Sequence, residues 1–209
     1  PGGDSPTVTP GATDPGSGPA ENPGGSTGVP GGAGSTGNAG NGGNTTGSTG
    51  SAWAGTRVAV IYFSCTGNTR TAAERIRDMT GADLYELTPE QPYTSQDLSY
   101  NNDACRASQE QKDPAARPRI AGQPLDLSQY GTIYLGYPIW WGTAPRIINT
   151  FLDTYDLTGK TIRPFCTSGS SGIETSVADI RAAAPEVNVT DGLRVDDPDG
   201  SALKAWVRE

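Results

Sequence analysis

The sequence predicts an α/β protein: a three-layer sandwich in which a five-stranded parallel sheet, in the order 2-1-3-4-5, carries helices on both faces. Three observations lead there. From residue 57 onward, strand-like and helix-like segments alternate. Two strand segments, RVAVIYF at 57–63 and TIYLGY at 132–137, are near-continuous apolar runs, as expected of strands covered on both faces. Apolar residues recur at helical spacing between Ala144 and Tyr155.

The elements follow in order. Strand one, Arg57–Phe63, leads into the loop Ser64-Cys65-Thr66-Gly67-Asn68-Thr69. A helix runs from there to about Met79, with Ala72, Ala73, Ile76 and Met79 on one face, and Gly81 suits its end. Asp83–Leu87 is strand two, which completes a βαβ unit. Residues 88–124 contain Pro89, Pro92, Pro114, Pro118 and Pro124 and read as an insertion over the surface. The polar stretch Asn101–Asp113 can hold a helix. Strand three, Thr132–Tyr137, ends in Pro138-Ile139-Trp140-Trp141-Gly142. Thr143 is the expected N-cap of the next helix, which carries Ala144, Ile147, Ile148, Phe151, Leu152 and Tyr155. Strand four, Thr161–Cys166, precedes Thr167-Ser168-Gly169-Ser170-Ser171-Gly172. Ile173, Val177 and Ile180 mark another helix, Val187–Val195 a fifth strand, and Ser201 the cap of a final helix with Leu203, Trp206 and Val207.

Residues 1–50 differ. They hold 17 Gly, 7 Pro and 13 Ser or Thr, with no aromatic and no basic residue. Such a stretch buries too little apolar surface to offset chain entropy, so 1–55 is expected to be a disordered tether and 56–209 the folded domain. As a coil it spans roughly 40 Å. The chain begins at Pro1 rather than Met. Together with the tether, this gives the expectation of a lost export signal and an extracytoplasmic domain held by an upstream membrane anchor. A cytoplasmic location is the alternative.

Composition excludes several chemistries. The chain has no His, which removes His-ligated zinc and His-assisted nucleophiles. Cys65, Cys105 and Cys166 form no CxxC pair, and no metal site is expected. The net charge is −8, which argues against nucleic acid as a partner. No apolar run reaches the ~20 residues of a membrane span.

In an open parallel sheet, ligands bind beyond the carboxyl ends of the strands, where the strand order reverses. The loops 64–69, 137–143 and 167–172 follow strands one, three and four, which that order makes neighbours. The first opens directly into a helix, whose N-terminal amides form an anion site. Ser64, Thr66 and Thr69 add hydroxyl donors, Gly67 permits close approach, and Asn68 tolerates an unusual turn. The loop has no Lys and so is not a nucleotide P-loop; it suits a phosphate monoester held by neutral donors. In PIWWG, adjacent side chains diverge, so one Trp is expected to face a flat aromatic ligand. TSGSSG offers backbone donors to the polar edge of such a ring.

With these loops, residues 56–209 resemble the flavodoxins, in the broad flavodoxin-like family. Residues 64–69 match that family's T/S-x-T-G-x-T phosphate loop. YPIWWG at 137–142 and FCTSGSSG at 165–172 resemble a bacterial subgroup in which export signals are common. The resemblance implies FMN as cofactor. It implies that Ser64, Thr66, Gly67, Asn68 and Thr69 hold the phosphate, with Cys65 in the same loop. It implies that Pro138, Ile139, Trp140, Trp141, Gly142 and Thr143, together with Thr167, Ser168, Gly169, Ser170 and Gly172, enclose the isoalloxazine ring. The family commonly carries a Tyr in the third loop. TSGSSG has none, so one ring face is expected to be open or covered from the insertion by Tyr93 or Tyr100. Cys65 is expected to point inward as a small apolar residue. The expected function is an FMN-binding flavodoxin-type electron carrier between a reductase and an acceptor, its partner a redox protein or a small-molecule electron acceptor. The alternatives are an NAD(P)H-dependent quinone or flavin oxidoreductase, and a cell-surface domain that has lost FMN. No side chain is assigned as a catalytic acid or base.

Overall fold

A computed structural model describes residues 57–209; the tether expected over 1–55 lies outside the described residues. Strands β1 (Arg57–Tyr62), β2 (Asp83–Glu86), β3 (Tyr130–Pro138) and β4 (Thr161–Thr167) are joined by two-residue strands β5 (Asn188–Val189) and β6 (Leu193–Arg194). The sheet is parallel throughout, in the order β2-β1-β3-β4-β5, with β6 also on β4. The helices are α1 (Asn68–Thr80), α2 (Arg106–Lys112), α3 (Arg146–Thr154), α4 (Glu174–Ala183) and α5 (Ser201–Arg208).

The two-residue period of β1 builds both layers at once. Val60 and Tyr62 point to the face covered by α1 and α5, where they meet Ala72, Ala73, Ile76, Phe165 and Leu203. Ala59, Ile61 and Phe63 point to the opposite face, with Ile133, Leu135, Ile147, Phe151 and Val177. Each fully buried large side chain contributes roughly 1.5–3 kcal/mol. α1 stops where Gly81 takes a left-handed φ of 70° and donates its N–H to the Arg77 carbonyl, 2.7 Å away. Its buried face ends at Ile76, and Met79, expected on that face, lies exposed in the last turn.

The sequence reading needs correction elsewhere. The expected fifth strand, Val187–Val195, is two short pieces. Ile162 O and Cys166 O accept from Thr190 and Val195 on that edge, so alternate β4 residues face it. Pro164 lies between them and has no N–H to give. Gly192 passes so close that a Cβ there would lie 3.0 Å from the Pro164 carbonyl. The ladder breaks at that point. α3 begins at Arg146 after Pro145 rather than being capped by Thr143, and Ser201 is the first residue of α5 rather than its cap.

Residues 88–124 are also more than a surface crossing. A Pro89–Ile120 bridge closes their neck. Cys105 and Ala107 are buried in the core, and Tyr93, Leu98 and Ile120 pack against it. Arg146 caps the end of α2, donating to the Glu110 and Gln111 carbonyls at 3.2 and 2.7 Å. The contributing residues are too irregularly spaced to show a period in the sequence.

Candidate functional site

The loops after β1, β3 and β4 meet at one end of the sheet around a cleft of about 770 Å³. The first loop is a tight turn. Gly67 N donates to Ser64 Oγ at 3.1 Å, and Gly67 takes a φ of 89°, which only Gly adopts without strain. Ser64 and Gly67 therefore shape the loop rather than line the cleft. α1 starts at Asn68 with no side-chain cap and no acid in its first turn. Its first amides are thus left for an anion. Thr66 and Asn68 line the cleft, joined by Thr71 and Ala72 from the following turn. Thr69 is buried, its hydroxyl 2.8 Å from that of Thr167. That contact ties the first loop to the third. The cation adjoining the loop in the chain, Arg70, already makes two bonds to Glu86, at 2.8 and 2.9 Å. Binding at this loop therefore rests on neutral donors.

Cys65 does not point inward. It is exposed and lines a smaller pocket of about 200 Å³ beside the cleft, with Thr66, Thr69, Leu98 and Tyr100. Local desolvation, with the Glu86 carboxylate adding to it, pushes its thiol up to about 11. Cys65 should therefore alkylate slowly at pH 7.5 despite its exposure, and the rate should rise about tenfold per pH unit towards pH 11. Mass spectrometry after timed iodoacetamide treatment checks this, and a plateau by pH 9 would contradict it. Cys105 and Cys166 are buried and do not compete; burial pushes the Cys166 thiol up to about 12.

The second loop separates the two tryptophans. Trp140 is buried, edge-on to Phe63 at 5.5 Å and to Tyr93 at 5.1 Å. Trp141 is half-buried at the cleft wall. Trp140 and Thr143 exchange backbone hydrogen bonds of 2.9 and 3.1 Å around Trp141 and Gly142. Both of these central residues have positive φ, 46° and 87°, the pattern of a type I′ turn. The left-handed region costs a non-Gly residue about 1–2 kcal/mol, and the reciprocal bonds hold Trp141 there. Pro138, Ile139, Gly142 and part of the buried Trp140 also line the cleft, whereas Thr143 turns away and donates to Asp179.

From the third loop, Thr167, Ser168, Gly169 and Ser170 line the cleft, and Gly172 lies off it against Glu174. Arg194 braces this wall, donating to Ser170 O at 2.9 Å while paired with Asp196 at 2.8 Å.

Sequence reasoning missed a fourth contribution: Val195, Asp196 and Pro198 after β6 also line the cleft. β6 is too short to announce a strand end. Of the two insertion tyrosines, Tyr100 lines the cleft, while Tyr93 packs under Trp140 and donates to Glu110. Among the described residues no cluster of His, Cys, Asp and Glu could hold a metal ion, and no helix is long and apolar enough to cross a membrane.

Comparison with known proteins agrees with this geometry. A family model described as Flavodoxin matches residues 57–209. A protein of Bacteroides eggerthii, assigned by name to the flavoproteins, is 44% identical over 72% of this chain and 95% of its own, with a TM-score of 0.70. A Bacteroides uniformis protein so assigned is 38% identical over 74% and 99%, with a TM-score of 0.72. A flavoprotein of Lactobacillus acidophilus, solved in complex with FMN, is 24% identical over 72% and 98%, with a TM-score of 0.58, and shares the fold. No curated protein sequence matches the chain significantly.

Proposed function

The chain belongs to the flavodoxin family, and from that premise we propose that it is an FMN-binding redox protein that carries electrons between a reductase and an acceptor. The carrying observation is the uncapped start of α1, behind a left-handed Gly67, in a cleft that Trp141 also lines. The donor set fits the cofactor. The first-turn amides of α1, the Thr66 hydroxyl and the Asn68 amide would hold the phosphate. Trp141 would lie against one face of the ring, and the backbone of Ser168–Ser170 would meet its polar edge. The Lactobacillus acidophilus protein holds FMN on the same fold. When bound, FMN supplies one- and two-electron chemistry. The chain's own residues bind it, orient it and keep water from the Trp141 side.

Titrating the purified protein with FMN tests the proposal. Flavin fluorescence should quench to a stoichiometry of one per chain; no quenching at micromolar protein would refute it.

One observation supports a second reading, an NAD(P)H-dependent oxidoreductase. The 167–172 wall carries no aromatic side chain, and Gly169 and Ser170 are exposed, so a small hydride donor has access. Steady-state NAD(P)H consumption with a small-molecule acceptor and no partner protein separates the two. An extracytoplasmic location on a 1–55 tether is part of the same proposal, and protease accessibility on intact cells checks it.

A further inference from the structure

The insertion reaches the cleft through one side chain. Tyr100 is 58% exposed, far more than the other aromatic side chains around it. Its ring stacks on that of Trp141, centroids 4.4 Å apart and planes within 10°. Its hydroxyl donates to the Ile139 carbonyl and accepts from the Trp141 N–H, both at 3.3 Å. The same side chain therefore grips the indole and the backbone on either side of Trp140. A second residue of the insertion supports the same turn: the Gln111 amide donates to the Trp140 and Ala144 carbonyls at 2.8 and 3.3 Å. Trp141 sits at a φ of 46°, so its orientation is not one the local backbone prefers. An exposed tyrosine pressed flat on a strained tryptophan is costly to order unless the arrangement serves the site.

We propose that Tyr100 is a positioning residue: it backs Trp141 so that the indole faces the cleft, and the 88–124 insertion thereby sets how tightly the flavin is held. This rests on the FMN reading above. Tyr100 lines the cleft together with Trp141, and the 167–172 side of the cleft carries no aromatic cover.

The test combines Tyr100→Ala, Tyr100→Phe, Trp141→Ala and the Tyr100→Ala/Trp141→Ala double variant, with FMN affinity read by fluorescence quenching. Tyr100→Ala should weaken FMN binding about 5-fold, the scale of a lost aromatic stack. Its thermal midpoint should fall by only a few degrees, the scale of one partly exposed stack and two long hydrogen bonds. Tyr100→Phe keeps the stack and should stay within about 2-fold of wild type. In the Trp141→Ala background, removing Tyr100 should change affinity less than about 2-fold. In the flavin-free protein, Tyr100→Ala should add an acrylamide-accessible indole that Trp141→Ala lacks. Three results would overturn the proposal: wild-type affinity in Tyr100→Ala, the full loss persisting without Trp141, or tighter binding in Tyr100→Ala, which would put Tyr100 in the ring's own seat. If the wild-type protein binds no FMN, the functional proposal fails. The quenching measurement still decides the role of Tyr100, and unchanged indole accessibility would reject it.

Discussion

Replacing Thr66 and Thr69 together by Ala should weaken FMN binding by about 3 kcal/mol, on the order of 100-fold in Kd, while leaving riboflavin binding nearly unchanged. A hydrogen bond to a charged group contributes roughly 1.5–3 kcal/mol, and the loop offers no free cation to compensate, since Arg70 is held by Glu86. The comparison with riboflavin isolates the phosphate, because the ring and ribityl chain are common to both ligands. The two threonines are not equivalent. Thr66 is exposed at the cleft, whereas Thr69 is buried and shares its hydroxyl with Thr167. Thr69→Ala also leaves the Thr167 hydroxyl without that partner and should lower stability by about 1 kcal/mol. The single Thr66→Ala variant is free of that complication and should show the larger share of the phosphate-specific loss. Equal losses for FMN and riboflavin, or none for either, would mean that the phosphate is held elsewhere.

Gly136→Ala should lower unfolding stability by about 3 kcal/mol, at the upper end of what overpacking a core costs. Gly136 lies near the C-terminal end of β3, paired with Phe165 of β4. A Cβ there would come within 2.2 Å of the Phe165 ring, and that ring is fully buried against the α1 and α5 face. The ring has no room to withdraw, so the strain must pass into the β3–β4 pair. β3 carries the Trp141 turn, so FMN affinity should fall as well. Urea unfolding checks the expectation: the midpoint should drop with the slope unchanged. Adding Phe165→Leu should recover part of the loss by vacating the ring's volume. A Gly136→Ala midpoint equal to wild type would show that the strands separate there at no cost.

The candidate site was legible to the extent that it is made of strand ends. Ser64–Thr69 could be read as a phosphate loop because its hydroxyls, its Gly and the helix behind it are consecutive. The opposite facing of Trp140 and Trp141 follows from their adjacency, but which of them packs into the core was not legible. That depends on Phe63 and Tyr93 filling the space under Trp140, residues 77 and 47 positions away in the chain. Cys65 was misjudged for a related reason. It lies just beyond the apolar run of β1, but the turn fixed by Ser64 and Gly67 swings it outward. The loop after β6 was missed because a strand interrupted by Pro164 and Gly192 has no period to detect.

The sequence by itself determined the layer order, the three main strand-end loops and the turn of the first directly into a helix. Those properties are local: hydrophobic period, helix start and turn chemistry are each written within a dozen residues. The tertiary structure alone decided that Tyr100 stacks on Trp141, that Gln111 holds the turn beneath it, and that Asp196 joins the cleft wall. Each of these needs segments far apart in the chain to arrive within a few ångströms. Only the packing of the insertion and the short edge strands against the sheet brings them there.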